Sequence, residues 1–206
     1  MNFSKIAVLV GLFFSISYQS NAQGQQTLEK GDILINPFVT LGWYNYGYNL
    51  DIVNILPPVG LNFEYAVSPY FSWGAEAQYG VRQYRDFGFT TGSYEHKYEY
   101  KSIGLRGSFH YLDLLKNLLD DKLGSLNSDK IDFYVGATAG YLITNTTQKW
   151  NDGVVPEKHE RKSFDSATTF SYFAGFRYYF SSNFGAFAET GRNSLGWANV
   201  GLTLKF

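Results

Sequence analysis

The chain offers few side chains for catalysis. Its 206 residues include three histidines and no cysteine. The histidines are His96, His110 and His159. Acyl transfer through a side-chain nucleophile needs a nucleophile, a base and an orienting acid within hydrogen-bond reach. Glu189, Arg192, Asn193 and Ser194 are suitable in type and close in sequence, but no histidine accompanies them. Metal-ligand spacings, phosphate-binding glycine loops and nucleophile elbows do not occur. The lack of cysteine removes disulfides and thiolate metal sites. No cofactor and no metal is expected. The chemistry that remains is that of fixed charge. Glu64, Glu76, Glu189, Arg82, Arg106, Arg177 and Lys205 stand at positions that alternate with apolar residues. Taken out of water, such charges must be paired or hydrated.

These positions belong to segments of period two, the pattern of strands whose successive side chains point to opposite faces. Val59, Leu61, Phe63, Tyr65 and Val67 alternate with Gly60, Asn62, Glu64 and Ala66. Phe71, Trp73, Ala75, Ala77, Tyr79 and Val81 alternate with Ser72, Gly74, Glu76, Gln78, Gly80 and Arg82. The pattern recurs over 102–111, 133–143, 170–180 and 199–206, and more weakly near 32–46 and 184–192, which predicts eight strands. Ser68-Pro69-Tyr70 and Ser181-Ser182-Asn183 make short connections at one end. Longer loops are expected at the other, near 46–57, 85–95 and 145–164, with only 193–196 short there. Short turns on one rim and long loops on the other are the habit of membrane barrels.

Composition narrows the class. Only 17% of residues are charged, 19% are aromatic, and the net charge is −1. A typical soluble domain carries about 25% charged residues, and a nucleic-acid binder shows a basic surplus. A mean hydropathy of −0.21 excludes a bundle of membrane helices. Lys5, the apolar run Ile6 to Phe14, and Ser20-Asn21-Ala22 read as an export signal over 1–22, leaving 23–206 as one mature domain. That run is about half of the ~20 residues a spanning helix needs.

Two features favour a membrane barrel over a soluble one. The polar strand face is rich in glycine, at 60, 74, 80, 104, 136, 140, 175, 185, 191 and 201. Glycine is unfavourable on a solvated strand face and suits the narrow interior of an eight-stranded barrel. On the other face, Tyr65, Phe71, Trp73, Phe109, Tyr111, Phe133, Tyr178, Phe180 and Phe184 fall near the short-turn rim, as a girdle at a membrane interface would. The predicted fold is all-β, an eight-stranded antiparallel transmembrane up-and-down β-barrel. A short amphipathic helix over 112–123 is expected between strands four and five, with Leu112, Leu115, Leu119 and Leu123 near one face and Gly124 as its C-cap.

The export signal, the eight alternating segments and the closing strand Asn199-Val200-Gly201-Leu202-Thr203-Leu204-Lys205-Phe206 resemble the small outer-membrane β-barrels of Gram-negative bacteria, the opacity-protein-like "porin family" group. The likeness runs over residues 31–206. It implies a place in the cell outer membrane, among lipid and lipopolysaccharide. It also implies that the barrel-assembly machinery reads the last strand through Phe206. None of the three histidines lies in the His-x-Ser pattern of the lipid A deacylase barrels.

The expected protein is a non-enzymatic monomer whose interior is plugged by its charges, with a structural or surface-interaction role through its outer loops. The alternatives are a narrow channel for ions or small solutes and, more remotely, a lipid A-modifying enzyme. Tyr46, Tyr48, Tyr84, Phe87, Phe89 and Tyr94 in the loops suit a surface protein partner, and the helix suits a periplasmic one. No nucleic acid partner is expected. Asp165-Ser166-Ala167 resembles an O-glycosylation acceptor of some of these bacteria.

Overall fold

The computed structural model describes residues 27–42, 51–87, 93–112, 130–151 and 159–206. The alternating segments form eight strands: β1 (Ile33–Leu41), β2 (Asp51–Ser68), β3 (Phe71–Phe87), β4 (Ser93–His110), β5 (Ile131–Asn151), β6 (His159–Tyr179), β7 (Phe184–Arg192) and β8 (Ala198–Lys205). Each pairs antiparallel with its sequence neighbours, and β1 pairs with β8 to close the ring. At this seam Ile33 and Phe206 exchange two backbone hydrogen bonds of 2.9 Å. No helix of the described residues is long and apolar enough to cross a membrane.

Side chains alternate as the sequence dictates. Leu61, Phe63, Tyr65, Trp73, Ile103, Leu105, Val135, Tyr141, Phe170, Tyr172 and Leu202 are exposed on the outer face. Asn36, Asn62, Glu64, Ser72, Arg106, Arg177 and Thr203 are buried on the inner one. This is the reverse of a soluble barrel, and it suits a ring whose solvent is lipid.

The glycines fit large inner rings to a narrow lumen. Phe38 stands beside Gly60 on the next strand, Phe173 beside Gly136, Tyr134 beside Gly175, and Phe187 beside Gly201. A Cβ on Gly175 would lie 2.3 Å from the Tyr134 ring, and one on Gly60 would lie 2.3 Å from the Phe38 ring. Each ring occupies the space its cross-strand neighbour leaves vacant.

The wall is uneven in height. β1, β7 and β8 have 9, 9 and 8 residues, about what one tilted crossing requires. β5 and β6 have 21 each. β6 pairs with β7 only from Tyr172 to Tyr179, and β2 pairs with β1 only from Val59 to Tyr65. Above these levels β2 to β6 stand as a five-stranded sheet with two edges. Pro57 and Pro58 sit on the β2 edge at a shift of register between Leu56 and Val59, where proline blunts further strand pairing.

The expected loops are therefore too long. Residues 51–57, 85–87, 93–95, 145–151 and 159–164 are strand, and Tyr84, Phe87 and Tyr94 belong to β3 and β4. Alternation does not stop where the apolar outer face ends; it changes polarity. On β4, Lys97, Glu99 and Lys101 take the outward positions that Ile103, Leu105 and Phe109 hold below, while Tyr98 and Tyr100 turn inward. The Asp165-Ser166-Ala167 triplet lies inside β6, paired with Thr144, Ile143 and Leu142. The expected first strand is also shorter, ending at Leu41. Beyond Leu112, the helix expected over 112–123 lies outside the described residues, and no helical element occurs among them. The export signal also lies outside them.

Candidate functional site

The inner face gathers the charges of distant strands into one network. Arg106 on β4 is its centre. Its guanidinium contacts Glu76 at 3.1 Å, Glu64 at 3.5 Å and, more closely, Glu189 from β7. Arg177 on β6 reaches Asp132 at 3.0 Å and Glu64 at 3.4 Å. Both guanidinium groups also lie over rings, Arg106 3.8 Å from the Phe173 centroid and Arg177 4.8 Å from that of Tyr134. Such stacking favours a desolvated cation.

Neutral donors complete the carboxylates. Glu64 accepts from Ser72 at 2.7 Å, Ser108 at 2.8 Å and Asn36 at 3.2 Å. Glu189 accepts from Tyr134 at 2.9 Å and Asn199 at 3.2 Å, and Glu76 from Gln78 at 2.6 Å. Thr203 bonds Asn36 across the seam, and Thr40 bonds Asn199 there at 2.8 Å. Buried charge is tolerated when it is paired and its remaining lone pairs are met.

Of the seven charges predicted for the lumen, Glu64, Glu76, Arg106, Arg177 and Glu189 meet in this network. Arg82 is buried higher up and donates to the Tyr84 hydroxyl at 3.0 Å. Lys205 lies at the short-turn rim, 3.6 Å from Asp32 and 5.5 Å from the Tyr179 ring centroid. There Thr27 and Leu28 are buried beneath the barrel. Two members of the network were not anticipated, Asp132 and His110. Period two carries both inward, since Asp132 shares parity with Tyr134 and His110 with Ser108.

Ser72, His110 and Asp132 make a serine–histidine–aspartate chain. Ser72 Oγ is 3.0 Å from His110 Nε2, and His110 Nδ1 is 2.9 Å from Asp132 Oδ2. These distances match an activated nucleophile, but the surroundings do not. Ser72 is 0% exposed and its single hydroxyl proton goes to Glu64. His110 lies between the Ser72 hydroxyl at Nε2 and the Asp132 carboxylate at Nδ1, both of them buried. The chain conducts hydrogen bonds between two carboxylates and leaves no open position for a substrate.

The predicted girdle residues are spread around the outer face of the short-turn rim. Tyr65 pairs with Trp73, and Phe71 with Phe109. Tyr111 stacks on Phe133 at 6.3 Å, Tyr178 meets Phe180 at 5.4 Å, and Phe180 meets Phe184 at 5.8 Å.

On the high wall the Lys97–Glu99 pair, at 2.7 Å, is partly exposed. Its hydrogen bond holds the Glu99 carboxyl below the ordinary value and the Lys97 ammonium above its own. The Glu99 contribution is lost as pH falls through its lowered value, and the Lys97 contribution as pH rises through its raised one. An exposed pair is worth on the order of 0–1 kcal/mol. Lys97→Gln is therefore expected to leave the urea midpoint at pH 7 nearly unchanged, and a large shift would show that the pair braces the wall.

No group of three or more metal-ligating side chains occurs among the described residues. No family model and no curated protein matches the chain. Solved structures do. The outer membrane protein OprG from Pseudomonas aeruginosa is similar at 14% identity and a TM-score of 0.51, over 88% of this chain and 99% of that one. Ail, the attachment invasion locus protein of Yersinia pestis, in complex with the heparin analogue sucrose octasulfate, is similar at 17% identity and a TM-score of 0.44, over 87% and 100%. The N-terminal β-barrel domain of Pseudomonas aeruginosa OprF gives 14% and 0.43, over 87% and 100%. The fold is that of the small eight-stranded outer-membrane barrels.

Proposed function

We propose that this protein is an integral barrel of the cell outer membrane, non-catalytic, with its lumen closed by ion pairs and its work done by the tall sheet above the membrane. The observation that carries the reading is the Arg106 centre. Three carboxylates from three other strands converge on one guanidinium under the Phe173 ring, an arrangement that supports a lumen closed to solutes. The outward apolar belt supports the location, and the exposed upper strands β2 to β6 offer a broad face for a surface partner. In this reading the aromatic rim residues anchor the barrel at the inner interface, and Phe206 closes the assembly signal. Resident contacts are outer-membrane lipid and lipopolysaccharide.

The test is electrical. Purified protein inserted in planar bilayers is expected to show no steady conductance. Reproducible unitary channels would overturn the plug and establish a solute path. A change in lipid A mass on overexpression would overturn the non-catalytic part.

A further inference from the structure

The step in wall height leaves a cleft that none of the roles above uses. β7 ends at Arg192, while β6 continues upward without a strand partner on that side. At this corner a cleft of about 600 Å³ runs round the end of β7 from the lumen side to the outer face. Its size falls in the range of about 300–1,000 Å³ usual for small-ligand sites. Leu142 and Thr169 line it from inside, Phe170 and Tyr172 from outside, and Arg192 and Asn193 at its floor.

The lining is two-sided in chemistry. Phe170 and Tyr172 are 65% and 57% exposed on the lipid-facing surface. Arg192 is the neighbour of Tyr172 across the strand pair and supplies an exposed cation where the apolar belt ends. Asn193 is only 5% exposed, and its Nδ2 has no hydrogen-bond partner in the protein. A buried amide donor without a partner forfeits its hydration with nothing in return, so an acceptor brought to this position gains on two counts.

We propose that this corner binds an anionic amphiphile, an acyl chain ending in a carboxylate or phosphate. The acidic head takes the Asn193 Nδ2–H and the Arg192 guanidinium, and the chain lies along Phe170 and Tyr172. An acyl tail fits because the outer wall of the cleft is continuous with the lipid-facing surface. An acid fits because the polar groups at the floor are donors. The site rests on the outward face lying in lipid.

The test uses the full-length protein in phosphatidylcholine nanodiscs. Three diazirine probes are compared: palmitate, its methyl ester, and a phosphatidylglycerol carrying the label on its acyl chain. Crosslinks are mapped by peptide mass spectrometry. The palmitate probe is expected to label 168–172 or 191–194 at least about tenfold more than the ester, the difference one charge-assisted hydrogen bond supplies. Arg192→Gln and Asn193→Leu are each expected to bring it down to the ester level, with heat-modifiable gel migration showing that the variants fold. Labelling by phosphatidylglycerol as well identifies the bilayer as the source of the ligand, and labelling by palmitate alone identifies a free amphiphile. Uniform labelling around the belt, or labelling unchanged in both variants, would overturn the site. Failure to enter nanodiscs at all would sink the membrane reading, and this site with it.

Discussion

Arg106→Met is expected to cost the barrel about 3–5 kcal/mol, the loss typical when one partner of a buried ion pair is removed. The reason is what remains. Glu64, Glu76 and Glu189 would keep their places around a vacant centre, each having lost its contact with that guanidinium. Glu64 retains Arg177, but Glu76 and Glu189 would keep only neutral donors among the partners described above. The measurement is urea unfolding in lipid vesicles, followed by heat-modifiable migration. A second variant separates charge from packing. Adding Glu76→Gln and Glu189→Gln to Arg106→Met removes the stranded charges and is expected to restore a large part of the loss. If the triple variant is no more stable than the single one, the electrostatic account fails. A midpoint unchanged by Arg106→Met alone would show that the network carries little stability.

Two glycine substitutions of equal size are expected to differ sharply. The three atoms nearest a Cβ on Gly60 all belong to the Phe38 ring. Gly60→Ala should therefore cost about 1–3 kcal/mol, as overpacking does, and Phe38→Leu should relieve much of it. A Cβ on Gly140 lies 2.1 Å from the Ile103 carbonyl oxygen and 2.5 Å from Gly104 Cα. No side chain can retreat from that contact, and only separation of β4 from β5 makes room. Gly140→Ala is expected to exceed the Gly60→Ala cost and to resist rescue by trimming any inner side chain. The comparison is again the urea midpoint of folded, heat-modifiable protein. Equal costs for the two positions would show that the strands yield more easily than the register implies.

Much of this architecture is legible in the chain because a strand shows its two faces every second residue. Val59 to Val67 and Phe71 to Arg82 announce their inner and outer sides directly. The tall wall is harder to see, because above Ile103 the outward positions turn charged and the inward ones aromatic, as in an ordinary soluble sheet. Alternation persists there but its sense is reversed, and the stretch reads as loop. Charge partners are illegible for another reason. Arg106 and Glu189 are 83 residues apart, on strands that are not neighbours, and meet only because the ring has a certain stagger. Parity places a side chain inside; it does not say at what height. That is why Lys205 and Arg82, inward by the same rule, sit with Asp32 and Tyr84 instead. Asp132 and His110 required only that the alternation be continued to the strand ends. The Asn193 cleft depends on where β7 stops relative to β6, which no local pattern encodes.

The β1–β8 seam has a consequence for the order of events in folding. It joins the first strand to the last, and the inner bonds that cross it, Asn36 with Thr203 and Thr40 with Asn199, connect residues 167 and 159 positions apart. Non-local contacts of this kind come late, because the chain between must be organised first. Until they form, the growing sheet is an open sector, and Glu64 on β2 and Glu189 on β7 belong to opposite halves of it. A half-built sector in a bilayer would present those carboxylates to hydrocarbon, at a cost of several kcal/mol each. Intermediates are thus penalised most just before completion. The step that brings the two ends of the chain together also completes hydrogen bonds of the inner face, which couples closure of the ring to satisfaction of its lumen.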